Sequence, residues 1–404
     1  MAEARSGVLL TGATGFLGGE VLARLLEREE EPVYALVRAE DDEQAAARLR
    51  SVVRSLLGSD ERSPQAIAVA GDITRPRLGM SDRRRDWLAD RVDRVIHCAA
   101  SVSFTLGLEE SRAINVDGTR RVLALAQYAA ARGRLDSFVH VSTAYVAGTH
   151  PGNFGEDDLD VGQGFRNPYE RTKFEAEQLV RERERGLPVQ VVRPSIVVGD
   201  SRSGWTPAFN VLYWPLRAFS RGAYPLMPAR RSAPVDVVPV DYVADAILGL
   251  EGRPGSTHHL VAGRRASTVG EIVELASANS GRRAPRLLRP RLYRSLIHPI
   301  LVRTGSEGRR RALRRSEIFF PYFAMGVDYD DERARSALAP IGIEPPPLRS
   351  YFDRLMDFAR LAEWGRRPYE RHETFVAPDS REAPLAERIE RRRRFLRASA
   401  AAQR

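Results

Sequence analysis

"VLLTGATGFLGGEVLARLL", residues 8–26, decides how the rest of the chain reads. Gly12, Gly15 and Gly18 stand between a short apolar run and a helical pattern, in the spacing G-x-x-G-x-x-G. Each glycine has its own physical task. The first allows a tight turn, the second lets backbone approach a pyrophosphate, and the third lets a helix pack on a strand. The N-terminus of that helix then faces the phosphates with unpaired N–H groups. Three glycines alone are a weak sign, because structural turns use them too. The strand–turn–helix setting makes a dinucleotide site the better reading.

Outward from this stretch, short apolar runs recur: "GVLL" (7–10), "VYALV" (33–37), "AIAVAG" (66–71), "RVIHCAA" (94–100), "SFVHVS" (137–142), "VQVVRP" (189–194) and "THHLVAG" (257–263). They are nearly continuous, as strands buried on both faces of a parallel sheet are. Segments such as 19–28 and 118–133 between them have helical spacing. The alternation predicts an α/β protein with a doubly wound parallel (Rossmann) sheet. We read 1–266 as that domain, with a substrate-lining insertion at about 201–234. Residues 267–376 read as a smaller, mostly helical substrate-binding region, and 377–404 as a basic helical tail.

Composition narrows the classes. The chain has 404 residues, 43% hydrophobic, enough for a large core. The net charge of +10 suits acidic partners, but heavy arginine usage explains it more simply. Of 63 Lys and Arg, one is a lysine, Lys173. Basic runs occur without a recognition motif, so no nucleic acid is expected. Cys98 is the one cysteine, which excludes an internal disulfide and a thiolate zinc site. It reads as a small core residue. His258 and His259 lack a ligand pattern, so no metal is expected, while His97 and His140 at strand ends read as cofactor-side packing. The start "MAEARSGVLL" lacks a long apolar segment, and no run of 18 apolar residues occurs. A cytoplasmic location is the resulting expectation. Residues 385–397 have the pattern of a basic amphipathic helix suited to peripheral membrane contact, though a solvated terminal helix is the simpler reading. Nothing in the pattern specifies an oligomeric state.

The second strand ends "VYALVRAEDD". A cofactor with a free 2′-OH wants an acidic side chain there, and Arg38 suits a 2′-phosphate instead. NADPH (NADP) is therefore expected over NADH, with Arg48 as a second contact. Asp41 and Asp42 pull the other way. Asp72 in "AGDI" is placed to accept an adenine amino group. Ala99 and Ala100, small residues after the fourth strand, permit close approach to the cofactor.

"VHVSTAYV" (139–146) puts Ser142 and Thr143 at the C-terminal end of the fifth strand, the ligand edge of such sheets. In "NPYERTKFEAEQLV" (167–180), Tyr169 and Lys173 are four apart and share one helix face. A phenol with a pKa of about 10 is a poor acid–base group at neutral pH. A neighbouring ammonium stabilises the phenolate. Lysine's slim point charge also reaches a nicotinamide ribose in a way that arginine's planar fork does not. The Thr143 hydroxyl is placed to hold a carbonyl oxygen. A surface Tyr–Lys pair is the bland alternative, and it does not account for the single lysine.

TGxxGxxG, the Thr143–Tyr169–Lys173 group and "INVDGT" (114–119), with "RPSIVVGD" and "VDVVPVDYVADAI", resemble the extended short-chain dehydrogenase/reductase superfamily over roughly residues 7–265. The resemblance implies Asn115 as a fourth catalytic residue that orders a proton-relay water. It also implies cofactor contacts at Thr11, Thr14, Phe16, Leu17, Ile73, Ser142, Pro194, Ser195 and Val197. More narrowly, "LVRAEDDEQAAARL", "GDITRPRLGMS", "HCAASVSF" and "HVSTAYVAG" resemble fatty acyl-CoA reductases and the thioester-reductase domains of carboxylic acid reductases. That implies NADPH-dependent reduction of an acyl thioester, on CoA or an acyl-carrier protein, to an aldehyde and onward to an alcohol. With no adenylation or carrier segment ahead of it in this sequence, the chain is expected to act alone. The lipophilic 206–229 segment and the C-terminal region would then line an acyl tunnel. Arg217, Arg230 and Arg231 at its mouth would meet CoA phosphates, although ordinary surface arginines are the simpler reading. Sugar-nucleotide epimerases, dehydratases and 3β-hydroxysteroid dehydrogenases share the catalytic group. Arg38 counts against the sugar enzymes, and dehydratases want an acid at 144, where this chain has Ala144. A non-catalytic NADPH-binding protein on the same fold is the remaining alternative.

Overall fold

The seven apolar runs become the seven strands of one sheet in the computed structural model. It describes residues 7–28, 31–183, 186–222, 226–289 and 325–374, together with 293, 295, 303, 307 and 322. The sheet strands are β1 (Gly7–Thr11), β2 (Val33–Val37), β3 (Ala66–Ala70), β4 (Val92–His97), β5 (Ser137–Val141), β7 (Val189–Pro194) and β12 (Ser256–Leu260). Their order is β12-β7-β5-β4-β1-β2-β3, and every pairing is parallel. The sequence direction reverses at β1, which lies between β4 and β2. A crevice for a ligand forms at such a point, outside the strand C-termini.

Continuous apolar strands follow from this layering. Val8, Leu9 and Leu10 of β1 are all fully buried, because helices cover both faces. Each such side chain contributes about 1.5–3 kcal/mol. The covering helices are α1 (Phe16–Arg28), α2 (Asp42–Leu57), α3 (Asp82–Ala89), α4 (Leu108–Ala131), α5 (Pro168–Arg181) and α7 (Val240–Gly249), while α6 (Tyr213–Ser220) and α8 (Val269–Ser280) pack in a separate cluster. Local chemistry fixes their ends. Asp41 caps α2 by accepting a hydrogen bond from Gln44 N at 2.8 Å, and Gly58 ends it with φ of 79°. The acid after Arg38 is therefore a helix cap. Asn167 caps α5 by accepting from Glu170 N at 3.0 Å, and Pro168 occupies its first position.

Short strand pairs form outside the central sheet. β6 (Gly152–Phe154) pairs with β15 (Val327–Tyr329), β8 (Ile196–Val198) with β11 (Val237–Pro239), β9 (Leu226–Pro228) with β14 (Arg286–Leu288), and β10 (Pro234–Val235) with β13 (Ser267–Thr268). α9 (Glu332–Leu338) and α10 (Phe352–Leu361) follow in the C-terminal part. The chain then returns to the nucleotide-binding half. Trp205 Nε1 donates to Tyr369 O at 2.9 Å, and Arg371 Nε meets buried Glu20 Oε1 of α1 at 2.8 Å. The basic tail anticipated at 377–404, with its helix at 385–397, lies outside the described residues. Among the described residues no helix is long and apolar enough to cross a membrane.

Candidate active site

The glycine turn follows β1 directly. Gly12 has φ of 79°, a conformation that favours glycine, and its carbonyl accepts from Gly15 N at 2.8 Å. A Cβ on Gly12 would lie 2.8 Å from Ala99 N, beyond β4. A Cβ on Gly18 would lie 2.1 Å from Gly12 O, so this glycine lets α1 pack against the turn. Thr14 and Gly15 are exposed at the mouth of α1, with Phe16 and Leu17 half-buried behind them. Ala99 and Ala100 flank the same crevice. The result is an open cradle of backbone N–H groups at a helix N-terminus, and it fits a dinucleotide pyrophosphate.

Arg38 stands exposed at the end of β2, and its carbonyl accepts a hydrogen bond from exposed Arg48. The Arg38 charge is near enough to Asp72, after β3, to act on its carboxylate. Asp72 follows β3. Its Oδ1 accepts from Thr74 N at 2.8 Å and Thr74 Oγ1 at 2.7 Å. Burial works to raise its pKa, but the Thr74 hydrogen bonds and the charges of Arg38 and Arg75 hold it below the usual range. Ile73 packs where a Cβ on Gly118 would meet it at 3.0 Å.

Three hydroxyls anticipated as cofactor contacts are turned inward. Thr11 is fully buried, with Oγ1 2.7 Å from His97 Nδ1. Ser142 Oγ donates to Glu177 Oε2 at 2.6 Å inside the core. Ser195 Oγ donates to Asp236 Oδ1 at 2.5 Å. Each is a strand-end residue whose hydroxyl has a buried partner within the chain. Buried Pro194 offers its carbonyl to Thr143 Oγ1 at 3.3 Å, and Val197 is half-buried in β8. His97 and His140 are likewise interior. His97 also contacts Thr119 Oγ1 at 3.0 Å, and burial holds its imidazole down at about 3. His140 is fully buried, with neither ring nitrogen hydrogen-bonded. Burial raises the Cys98 thiol to about 12, which suits a core residue.

Thr143, Tyr169 and Lys173 come together where β5 ends and α5 begins. Tyr169 is half-buried, with its ring 5.6 Å from Phe104. Burial pushes its phenol up to about 12, opposed by a hydrogen bond with Thr143. Lys173 is 3% exposed and donates from Nζ to Val141 O at 2.7 Å. Burial lowers its ammonium to about 8, against the pull of Glu177 and Cys98. The charge of Lys173 is not among the influences on the phenol. The anticipated lowering of Tyr169 is therefore absent from this arrangement, in which the ammonium is turned to the strand. Asn115 holds the loop after β4. Its Oδ1 accepts from Ser101 N at 2.7 Å, and its Nδ2 donates to Ser101 O at 3.1 Å and Thr172 Oγ1 at 2.9 Å. Its amide is spent on these contacts.

Behind the group lies a charged core that the sequence reading missed. Arg193 Nη2 meets Glu177 Oε1 at 2.6 Å, and both side chains are fully buried. Burial acts to raise Glu177, but the Arg193 charge holds it below the usual carboxylate range. The signal was available in outline, since Glu177 lies one turn past Lys173. Tyr322 was also missed. Its hydroxyl donates to buried Glu170 Oε1 at 2.7 Å and accepts from Asn167 Nδ2 at 2.6 Å, and its ring stacks on Phe104 at 5.5 Å. More than 150 residues separate it from its partners, a distance at which no spacing pattern operates.

The lipophilic 206–229 segment does not line a tunnel among the described residues. Leu212, Leu216 and Phe219 border an apolar crevice of only about 40 Å³. A larger cavity of about 520 Å³ lies beside Tyr145 and Tyr322. Exposed Arg231 pairs with Glu274, Arg230 is exposed, and Arg217 is half-buried. None of the three lines either cavity.

This is the arrangement of an extended short-chain dehydrogenase/reductase. The chain belongs to the male sterility protein family of NAD-binding domains, whose profile matches residues 10–247. It is 33% identical over 277 residues to fatty acyl-CoA reductase 1 of Xenopus laevis, covering 60% of this chain and 53% of that protein. It is 35% identical over 265 residues to the L-2-aminoadipate reductase large subunit of Penicillium chrysogenum, covering 62% of this chain and 19% of that protein. The chain thus spans about half the length of the first relative and a fifth of the second. Among solved structures, the terminal R domain of the myxalamid biosynthetic pathway superposes with a TM-score of 0.78 and 29% identity, over 91% of this chain and 94% of that one.

Proposed function

We propose that the protein reduces an acyl thioester, carried on CoA or an acyl-carrier protein, to an aldehyde with NADPH as reductant. One observation supports this reading: Thr143 stands just past the end of β5, and Lys173, on α5 one turn past Tyr169, is buried and bonded to Val141 O at the end of that strand. Matches to fatty acyl-CoA reductases and to an R domain favour a thioester over other carbonyl substrates.

When bound, the reduced nicotinamide supplies a hydride to the carbonyl carbon. The chain's own residues do the rest. The glycine cradle and the start of α1 hold the pyrophosphate. Arg38 pairs with a 2′-phosphate, which favours NADPH. The Thr143 and Tyr169 hydroxyls hold the carbonyl oxygen as charge develops on it. Tyr169, a neutral phenol at working pH, gives its proton to that oxygen. Lys173, one turn along α5 and bonded to Val141 O, keeps further N–H donors for a cofactor ribose. Collapse of the hemithioacetal expels the thiol and leaves the aldehyde. A second reduction by the same residues would give an alcohol.

Following NADPH absorbance across acyl-CoAs and acyl-carrier proteins, with products identified by mass spectrometry, tests the reading. Aldehyde or alcohol formed with one or two NADPH consumed supports it. Tight NADPH binding without turnover of any thioester, aldehyde or ketone would instead favour a binding protein on this fold. Turnover of sugar nucleotides alone would favour the epimerase reading.

A further inference from the structure

The cavity of about 520 Å³ is not lined by Thr143, Tyr169 or Lys173 themselves, but neighbours of two of them form its walls, and it has a chemistry of its own. Tyr145, two residues past Thr143, forms one wall, and Tyr322, bonded to Glu170 beside Tyr169, forms another. Its volume is that of a pocket for a small organic group.

Its lining runs against the charge of the chain. Asp236, Asp328, Asp330, Asp331 and Glu332 face it, opposed by two guanidiniums, Arg264 and Arg335. The whole chain carries +10. Among the described residues none of the five carboxylates has an ion-pair partner within 4.0 Å, although the charges of Arg335 and Arg264 act on Asp331. Asp236 takes hydrogen bonds from Ser195 Oγ at 2.5 Å, Ala262 N at 2.8 Å and Gly263 N at 2.9 Å. These are neutral donors, so they orient the carboxylate and leave its charge uncompensated.

The aromatic wall supplies a second observation. Tyr145 is 7% exposed and lines the cavity, yet its hydroxyl has no hydrogen-bond partner. The buried Tyr329 hydroxyl, on the same cavity, also has none. A buried hydroxyl without a partner costs about 1–3 kcal/mol unless something in the cavity bonds it. The Tyr145 and Tyr322 rings meet edge to face at 5.2 Å, offering π faces beside the carboxylates. Carboxylates and tyrosine faces together suit an organic cation. A metal ion does not fit, because no three His, Cys, Asp or Glu side chains among the described residues are placed to hold one.

We infer that this cavity receives the acyl part of the substrate and selects an acyl chain bearing a positively charged nitrogen. The inference rests on the thioester-reductase reading and names its substrate class.

The test uses the full chain with NADPH and two CoA thioesters of one shape. They are 5-(trimethylammonio)pentanoyl-CoA and its neutral isostere, 6,6-dimethylheptanoyl-CoA. The cationic thioester should show a kcat/KM at least about tenfold higher. Equal or reversed values would overturn the inference and leave thioester reduction standing. Replacing exposed Asp328→Asn and Glu332→Gln together should cut the preference to within about threefold. An unchanged preference would also overturn it. Calorimetry with the corresponding free alcohols and NADP separates the two readings. If neither thioester turns over but the cationic alcohol still binds about tenfold tighter, cation selection stands and the proposed reaction falls.

Discussion

Lys173 Nζ donates a hydrogen bond to the carbonyl oxygen of Val141 at 2.7 Å, from α5 to the last residue of β5. The contact explains why this position is a lysine in a chain that is otherwise all arginine in its basic residues. A buried ammonium on a slim stem fits one carbonyl and keeps further donors free. A planar guanidinium presents its donors in a fixed fork and needs more room. Lys173→Arg should therefore lower kcat by at least about 100-fold although the charge is kept. Wild-type turnover in this variant would refute the argument.

The same burial predicts a pH dependence. Lys173 falls to about 8 in the folded chain from an ordinary value of 10.5. The unfolded chain therefore binds more protons between these values, so this group penalises folding below pH 8 and the penalty is relieved as pH rises to 10.5. Activity should run the other way, because the ammonium is the working form. The kcat/KM profile should show an alkaline limb with a midpoint near 8. A profile flat to about pH 10 would contradict this role for Lys173.

Tyr169 carries the proton in the proposed chemistry. Tyr169→Phe removes one oxygen and leaves the ring against Phe104. Turnover should fall by about 10²–10⁴-fold while NADPH affinity, read by fluorescence, stays within about twofold. An active variant would sink the mechanism.

Arg38→Asp should weaken NADPH binding by about 100-fold and leave NADH nearly unaffected, because the lost partner is a 2′-phosphate. Equal losses for both cofactors would remove that contact from the account.

The Glu177–Arg193 pair should matter for stability. Removing one member leaves a buried charge without its partner. Glu177→Ala should destabilise the fold by about 3–5 kcal/mol in urea titrations. A loss under about 1 kcal/mol would mean that water or rearrangement solvates Arg193.

The sheet was legible because a strand buried on both faces must be apolar at every position, and "VYALV" and "VQVVRP" coincide with β2 and β7 to the residue. The glycine cradle was legible because its spacing is imposed by backbone contacts, such as Gly18 against Gly12 O. Side-chain direction at strand ends was not. Thr11, Ser142 and Ser195 stand at the ligand edge in sequence, yet each turns to an interior acceptor contributed by a distant element. Local spacing carries no record of His97, Glu177 or Asp236 on the far side of those contacts. Tyr322 and the acidic cavity arise from segments joined only by folding, so no periodicity announced them. The acyl tunnel was read from lipophilic composition; Leu216 and Phe219 line a small apolar crevice, and much of the C-terminal segment expected to complete it lies outside the described residues.

The most direct measurement uses NADPH deuterated at the transferred position of its nicotinamide, with an acyl thioester as substrate. The account predicts an aldehyde carrying one deuterium at its carbonyl carbon, with release of the free thiol, and loss of both in Tyr169→Phe. An unlabelled aldehyde, or label retained on the cofactor while the thioester is consumed, would contradict it.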